Sequence, residues 1–378
     1  MDNDNQNQFG STDLQAQPQA ETPVFEQPHD QPPSEEHAQV AQNIVDSSSV
    51  DKWDKSQQFL EKIEQKTNSR VIVIYISGRT SLAEPDVYQI NQQLQEFGHV
   101  PRISVLLSGP GGSGIAAARI ATILRYYCDQ LDFLIPQDAA SACTMLALAG
   151  DNVLMSPVAR LSPIDSSMAG NPLAPTDKDG YPVRIEVTQI QKFIELCNSG
   201  MSSKEVDDIK KSPYALLAEH VHPLVIGSIQ RILTLSKLLT TDILKLHLND
   251  PERIEAIVNS LNDDFPTHGY PITLSKAKEI GIQALPMDEE LSKLTLDYHD
   301  ILQLISKENS NEQGGVKVSY RVDAIFESKN ARTVFFQERN LRLGEKGWQN
   351  TGSKADYKTY KPVDNGNGLT RIQEVKAE

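Results

Sequence analysis

The chain of 378 residues has few basic residues, few cysteines and no long apolar run. No window reaches the roughly 18 apolar residues of a membrane-spanning helix, so we expect no stable insertion in a membrane. Acidic residues outnumber basic ones by 51 to 36, and the formal net charge of −15 argues against nucleic acid as a partner. Cys128, Cys143 and Cys197 lack the spacing of metal ligands. Their odd number, with no secretory signal, indicates reduced thiols in the cytoplasm.

The first 50 residues differ in composition from the rest of the chain. They hold nine acidic residues and nine Gln but no Lys or Arg. Such a segment buries too little apolar surface to offset the entropy of ordering it. We therefore predict a disordered acidic tail over 1–50, and the absence of a basic start and an apolar run indicates that it is not a signal peptide.

After the tail, strand-like and helix-like segments alternate. The predicted strands are 71–77, 103–107, 131–136 and 152–156, and the predicted helices are 51–67, 84–97, 114–127 and 140–149. This alternation is typical of a parallel sheet with helical crossovers. Further helices are expected between about 185 and 260 and over 274–282, which completes one α/β domain over 51–305.

The composition changes again after residue 305. The segment ENSNEQGG (308–315) is typical of a linker, and the residues after it alternate apolar and polar side chains in the manner of strands. The last residues, from about 352, are polar and are expected to be loose. We predict a linker, a small β-rich appendage and a loose C-terminus over 306–378.

The segment SGPGG (108–112) follows the predicted strand 103–107 and precedes a helix. One interpretation is a simple strand-to-helix turn. Another is an anion site, in which bare backbone N–H groups face a developing negative charge. The glycines do not form a P-loop, because no Lys-Ser/Thr pair follows, and their spacing does not match the dinucleotide fingerprint. We therefore expect no nucleotide. The histidines and cysteines lack the spacing of metal ligands, so we expect no metal either, and the sequence indicates no other cofactor.

Ser141 stands at the next strand-to-helix turn, in the segment DAASACTMLALAGD (138–151). A serine in this place either caps the helix or acts as a nucleophile with a free N–H group beside it. In a parallel sheet both turns lie at the carboxyl edge, where ligands bind. The N–H groups of Gly112 and Ala142 are then expected to converge on one oxygen atom.

Three segments resemble a known family when they are taken in order. They are ISVLLSGPGGSGIAAARIATILRYY (103–127), DAASACTMLALAGDNVLMSPVARLSPID (138–165) and HGYPITLSKAKEIGI (268–282). They are similar to the Clp-protease and signal-peptide-peptidase superfamily, and above all to its serine dehydrogenase proteinase family. The resemblance implies an α/β, Clp-protease-like (crotonase-like) fold, with a repeated β-α-β core, added helices and a small C-terminal β appendage.

The same resemblance implies roles for the residues of the two turns. Ser141 would be the nucleophile, and the backbone N–H groups of Gly112 and Ala142 would form the oxyanion hole. Two neighbours would shape that loop, Pro110 and Gly111. Cys143 stands where the family motif has a glycine, so a larger side chain is expected beside the nucleophile.

The sequence leaves the general base open. The Clp branch has a His after an Ala-Arg motif, and here that region runs to Asp165 without a His. His268 lies where that branch places its third catalytic residue, so an exchanged arrangement would make His268 the base and Asp165 its orienting carboxylate. Lys192 is near the spacing of the signal-peptide-peptidase base, but it lies in an amphipathic run typical of a solvated helix face.

The resemblance implies a serine peptidase that cuts peptide or protein substrates by acyl transfer and assembles as a homo-oligomer. The alternative is a catalytically inactive relative on the same fold, which serves as a binding or scaffold protein. The intact Ser-Ala-x-Thr and Pro-Gly-Gly segments favour the peptidase. An apolar stripe in the helical region is the expected subunit interface: Leu216, Leu224, Ile229, Leu233 and Leu239.

Overall fold

The computed structural model describes most of the chain after residue 51. The described ranges are 52–164, 167–168, 171–183, 185–198, 213–313, 315–344, 347–364 and 370–375. The predicted tail over 1–50 lies outside them. Their α-helices are α1 (Trp53–Thr67), α2 (Glu84–Phe97), α3 (Gly114–Tyr126), α4 (Ala142–Ala147), α5 (Val187–Asn198), α6 (Pro213–His220), α7 (Pro223–Lys245), α8 (Pro251–Asn259), α9 (Leu274–Glu279) and α10 (Glu289–Ile305). Among these helices, none combines the length and the hydropathy that crossing a bilayer requires.

The strands form one large sheet and two short pairs. They are β1 (Arg70–Ile76), β2 (Val100–Ser108), β3 (Cys128–Ile135), β4 (Asp138–Ala139), β5 (Asn152–Met155), β6 (Arg160–Leu161), β7 (Ser167–Met168), β8 (Ile185–Glu186), β9 (Ala284–Pro286), β10 (Asn309–Gln313), β11 (Val316–Ser328), β12 (Ala331–Gly344), β13 (Gly347–Asp364) and β14 (Thr370–Val375). The large sheet has the order β14-β13-β12-β11-β1-β2-β3-β5-β9, and β10 pairs with β11. β1, β2, β3, β5 and β9 pair in parallel, which confirms the predicted α/β fold.

The middle of this sheet is covered on both faces, which explains why β1 and β2 are almost continuous apolar runs. Successive residues of β1 point to opposite faces, as the period of two in a strand requires. Ile74 packs in the larger cluster, with α2, α3, α4, α7 and α8. Val73 and Tyr75 pack in the smaller cluster, with α1, α10 and the C-terminal strands.

The C-terminal segment extends the main sheet instead of forming a separate layer. β11 pairs antiparallel with β1, from Ile72↔Ser328 to Ile76↔Ala324. The predicted linker 308–315 contains β10, and the residues from 352 that were expected to be loose lie largely in β13 and β14. The physical reason is hydrogen bonding between strands, which orders polar segments that bury little side-chain surface of their own.

The apolar stripe predicted as a subunit interface packs mainly within the chain. Ile229 and Leu233 are buried in a small cluster of their own, and Leu239 packs against the larger cluster of the main sheet. Leu224, by contrast, is 65% exposed. The stripe is therefore not one exposed face, because most of its residues complete the packing of α7 against its neighbours.

A second set of strand pairings lies beyond the carboxyl ends of β2 and β3. β4 pairs with β6 in parallel. The bridge Gly109↔Ala139 joins the segment after β2 to this pair, and the bridge Leu161↔Ile272 joins the segment before α9. Four distant parts of the chain are thereby hydrogen bonded into one small layer, which positions the candidate site.

Candidate active site

Two strand-to-helix turns lie side by side at the carboxyl edge of the main sheet. One leads from β2 through Gly109 to α3, and the other leads from β3 through β4 and Ser141 to α4. The N–H of Gly109 donates to the carbonyl of Asp138 at 2.9 Å, and the N–H of Ala140 donates to the carbonyl of Gly109 at 2.9 Å. The two turns that the sequence predicts to meet are thus hydrogen bonded to each other.

Gly111 and Gly112 occupy positions that only glycine fits. Their φ angles are 105° and 144°, values that residues with a side chain rarely adopt. A Cβ atom on Gly112 would lie 2.3 Å from the carbonyl oxygen of Leu82, and one on Gly111 would lie 2.6 Å from the Cβ of Ser141. The N–H of Leu82 donates to the carbonyl of Gly111, and the N–H of Ser113 donates to the carbonyl of Leu82, both at 2.8 Å. The bare loop backbone therefore lies directly between the Leu82 segment and the Ser141 turn.

Ser141 occupies the N-cap position of α4, but its side chain makes no capping hydrogen bond. Ser113, at the same position of α3, does cap its helix, because its Oγ accepts from the N–H of Ala116 at 3.1 Å. The backbone of Ser141 has φ 52° and ψ −117°, which is strained for a residue with a side chain. Within the described residues its hydroxyl has no hydrogen-bond partner. The helix-capping interpretation of Ser141 therefore does not hold in this structure.

Two buried hydroxyl groups hold this strained turn. The N–H of Ser141 donates to Oγ of Ser162 at 2.8 Å, and the N–H of Ser162 donates to Oγ1 of Thr144 at 3.0 Å. The hydroxyl of Thr144 donates in turn to the carbonyl of Ala139 at 2.7 Å. Sequence reasoning assigned no role to Ser162, because its contact with Ser141 spans 21 residues and leaves no local signal.

Ser141 lines a cleft of about 520 Å³. Its lining combines the glycine loop and small polar residues near it with apolar residues from α4 and α7. The lining residues are Gly78, Thr80, Ser81, Pro110, Gly111, Gly112, Ser113, Gly114, Ile115, Ser141, Ala142, Met145, Ile164, Ile232, Leu235, Ser236, Leu239 and His268. In the parts of the chain that the structure describes, no three His, Cys, Asp or Glu side chains cluster as metal ligands.

The N–H groups of Gly112 and Ala142 have no hydrogen-bond acceptor among the described residues, and both residues line the cleft. Cys143 is not among the residues that line the cleft, and its thiol is fully buried next to Gly109. Burial raises the pKa of this thiol to about 12, against a smaller lowering by a hydrogen bond from the Gly111 backbone. The side chain expected beside the nucleophile therefore lies in the core and leaves the cleft open.

The two candidate bases, His268 and Lys192, and the predicted orienting carboxylate, Asp165, have different positions. His268 lines the same cleft as Ser141. Asp165 lies outside the described residues. Lys192 lies on α5, with its side chain 52% exposed and its Nζ paired with the carboxylate of Glu195 at 2.7 Å. The structure thus brings His268 to the cleft of Ser141, and Lys192 is not among the residues that line it.

Two curated relatives are uncharacterized proteins of Methanocaldococcus jannaschii. MJ1495 is 26% identical over 181 residues, which are 48% of this chain and 51% of that protein. The chain therefore spans about half the length of this relative. MJ0137 is 26% identical over 233 residues, which are 59% of this chain and 71% of that protein.

Solved structures that match the chain include two proteases. A variant of the 1510-N membrane-bound stomatin-specific protease has a TM-score of 0.34 at 14% identity, over 64% of this chain and 87% of that one. ClpP1 from Listeria monocytogenes has a TM-score of 0.32 at 12% identity, over 60% of this chain and 98% of that one.

The sequence profile of the ClpP-like SDH-type serine proteinases matches residues 48–300, which is more than half of the chain. The matched range holds the parallel strands, the glycine loop, Ser141 and His268. The resemblance found in the sequence is thereby confirmed, and so is the ClpP-like α/β fold that it implied. The chain belongs to the family of ClpP-like SDH-type serine proteinases.

Proposed function

We propose that this chain is a serine peptidase that hydrolyses peptide bonds by acyl transfer, with Ser141 as its nucleophile. The observation that carries the proposal is the state of Ser141. It holds a strained backbone at a helix N-terminus, its hydroxyl does no capping, and it faces a cleft large enough for a peptide segment. Strain of this kind persists only where the surroundings impose it, and it clusters at sites of chemistry.

Backbone amides supply the electrostatic part of the proposed mechanism. When Oγ of Ser141 adds to the scissile carbonyl, the carbonyl oxygen gains negative charge. The N–H groups of Gly112 and Ala142 are unused by the described residues and line the same cleft, so we assign them to that oxygen. Donors of this kind are already oriented before reaction, and each contributes on the order of 10²–10³ in rate.

Proton transfer is assigned to His268. The serine proton passes to its imidazole as Oγ bonds to the carbonyl carbon, and the same proton then passes to the leaving amine as the peptide C–N bond breaks. Water hydrolyses the acyl-enzyme by the reverse sequence. Asp165 is proposed to orient the imidazole. His268 is preferred to Lys192 because it shares the cleft of Ser141, whereas Lys192 is paired with Glu195 on α5.

The substrate class is a peptide or protein segment, and self-association of the chain is part of the proposal. The apolar wall from α4 and α7 offers contacts for uncharged side chains of such a segment. Leu224 and Leu238 on the outside of α7 are 65% and 56% exposed and are the proposed contacts between copies.

The test is fluorophosphonate labelling of the full chain, read by intact mass. We expect one adduct on the wild type and none on Ser141→Ala, because only an activated serine attacks the reagent at phosphorus. Ser228→Ala is the matched control. Ser228 lies on α7 with its hydroxyl bonded to the carbonyl of Leu224, so labelling should persist. An unlabelled but folded wild type would favour the inactive relative that serves as a binding protein.

The same assay separates the candidate bases. We expect His268→Ala to slow labelling by about 10²- to 10⁴-fold, which is the usual contribution of a general base. Lys192→Ala should label at the wild-type rate, because its ammonium is paired on the surface of α5. The reverse pattern would assign the base to Lys192.

A further inference from the structure

The first turn of α2 connects the C-terminal strands to the glycine loop. Tyr357 lies on β13, and its hydroxyl donates to Oδ1 of Asp86 at 2.7 Å. Asp86 is only 3% exposed, and its other oxygen accepts from the N–H of Ala83 at 2.7 Å. The carboxylate is thus buried between two donors, one from β13 and one from Ala83, the residue immediately before α2.

Leu82 carries this connection to the loop. It immediately precedes Ala83, and its N–H and carbonyl bond to Gly111 and Ser113, each at 2.8 Å. The carbonyl oxygen of Leu82 also lies where a side chain of Gly112 would be, since a Cβ there would approach it to 2.3 Å. A displacement of Leu82 therefore displaces the backbone of Gly112.

β13 lies outside the residues that match the family, which end at residue 300. Two further contacts join the C-terminal strands to α2, one from β11 and one from β13. Nε2 of Gln93 donates to the carbonyl of Phe326 at 2.6 Å, and Lys361 forms an ion pair with Glu96. These two contacts hold the middle and the end of α2. The hydrogen bond of Tyr357 acts at the other end of the helix, which touches the loop and where Arg119 also pairs with Glu84.

We propose that Tyr357 is a positioning residue for the oxyanion loop, acting through Asp86, Ala83 and Leu82 on Gly112. The inference rests on the proposed function, because it assigns the C-terminal strands a part in the same reaction. In this chain the extension of the sheet beyond the family region supports the site in addition to lengthening the sheet.

Tyr357→Phe in the full chain tests the proposal. The ring keeps its contact with Phe335, whose centroid is 5.0 Å away, and only the hydroxyl is lost. We expect the labelling rate and the kcat for a peptide substrate each to fall about five- to tenfold, with KM changed by less than about twofold. Hydrogen exchange at the amides of Leu82 and Ser113 should become faster by a similar factor.

Thr359→Val is the matched control. Thr359 lies on the same strand, and its hydroxyl is bonded to that of Thr333 at 2.9 Å, away from the loop. Loss of this hydrogen bond should lower the free energy of unfolding about as much as Tyr357→Phe does. The labelling rate, kcat and the exchange rates of the Leu82 and Ser113 amides should stay at wild-type values. Equal labelling rates in the two variants would overturn the proposal.

Asp86→Ala removes the middle of the same connection, because alanine accepts neither the hydrogen bond from Ala83 nor the one from Tyr357. The double variant should be no slower than the slower single variant, since both changes break one path. If the wild type is not labelled at all, the proposed function fails. Exchange at Leu82 and Ser113 in Tyr357→Phe then still decides whether Tyr357 supports the loop, and unchanged exchange would refute that support.

Discussion

Two adjacent turns of this chain reach unusual backbone conformations with different residues. In the turn after β2, glycines take the positive φ angles, 105° at Gly111 and 144° at Gly112. In the turn that follows β4, a serine takes one, with φ 52° at Ser141. Glycine adopts such angles without steric cost, whereas a residue with a Cβ atom is strained by about 1–3 kcal/mol.

The difference fits what the proposed mechanism requires of each turn. In that mechanism the first turn brings only backbone close to a reacting carbonyl, so residues without side chains suit it. The second turn would present a hydroxyl, so it keeps a side chain despite the strain. Two features impose that conformation on Ser141. One is the pair of hydrogen bonds that the hydroxyls of Ser162 and Thr144 accept, and the other is the pairing of β4 with β6.

The largest effect is expected when the glycine turn receives a side chain. Gly112→Ala puts a Cβ atom 2.3 Å from the carbonyl oxygen of Leu82 at φ 144°, so the loop backbone must move. If the Gly112 N–H holds the oxyanion, labelling by fluorophosphonate should slow by about 10²- to 10³-fold. The second-order labelling rate is the measurement.

Gly227→Ala is the control for that prediction. Gly227 lies on α7, and a Cβ atom there meets nothing within 4 Å. Alanine in a helix is also more favourable than glycine, so this variant should label at the wild-type rate and be slightly more stable. A Gly112→Ala protein that labels as fast as Gly227→Ala would remove Gly112 from the oxyanion hole.

The two turns were recognisable in the sequence because each follows a buried strand and precedes a helix. Period and capping signals are local, and the predicted helix over 84–97 matches α2 residue for residue. The interpretation of Ser141 as a helix cap also rests on local sequence, and it is wrong. The turn is held by a hydrogen bond from the Ser141 N–H to Ser162, which lies 21 residues away and gives no local signal.

The placement of the C-terminal strands was beyond local reasoning for a related reason. β11 pairs with β1 across about 250 residues, and the residues of neither strand indicate which strand it pairs with. The polar residues from about 352 favour a loose C-terminus, although most of them lie in β13 and β14. Arg332 and Glu327 form an ion pair with both side chains fully buried, which composition alone assigns to solvent.

A smaller effect is expected when the serine turn is given a glycine. Ser141→Gly and Ser141→Ala both lack the hydroxyl, but only glycine relieves the strain at φ 52°. We expect Ser141→Gly to be more stable than Ser141→Ala by about 1 kcal/mol, from urea unfolding followed by circular dichroism. At Ser228, in the regular helix α7, the order should reverse, with alanine more stable than glycine by about 1 kcal/mol. If alanine were more stable than glycine at both positions, the backbone of Ser141 would not be strained.

The smallest effect concerns a buried contact at the start of the glycine turn. Ser108 ends β2, and its Oγ lies 3.0 Å from Nε2 of His299, which is 2% exposed on α10. Burial lowers the pKa of His299, against smaller raising effects of Asp300 and Asp138, and the Tyr75 ring also lies edge-on to it at 5.7 Å. Burial beneath the turn therefore favours the neutral form of the imidazole.

A histidine whose pKa is lowered by folding makes stability depend on pH in one direction. Its contribution is fully present above the unfolded pKa of about 6.5, and it is lost as the pH falls from there through the lowered native pKa, because only the unfolded chain takes up the proton. His299→Gln should make the free energy of unfolding fall less between pH about 6.5 and about 5.5, by up to about 1 kcal/mol. His247, whose pKa burial also lowers, keeps part of the slope in both proteins. Identical pH profiles would mean that burial beneath the glycine turn does not lower the pKa of His299.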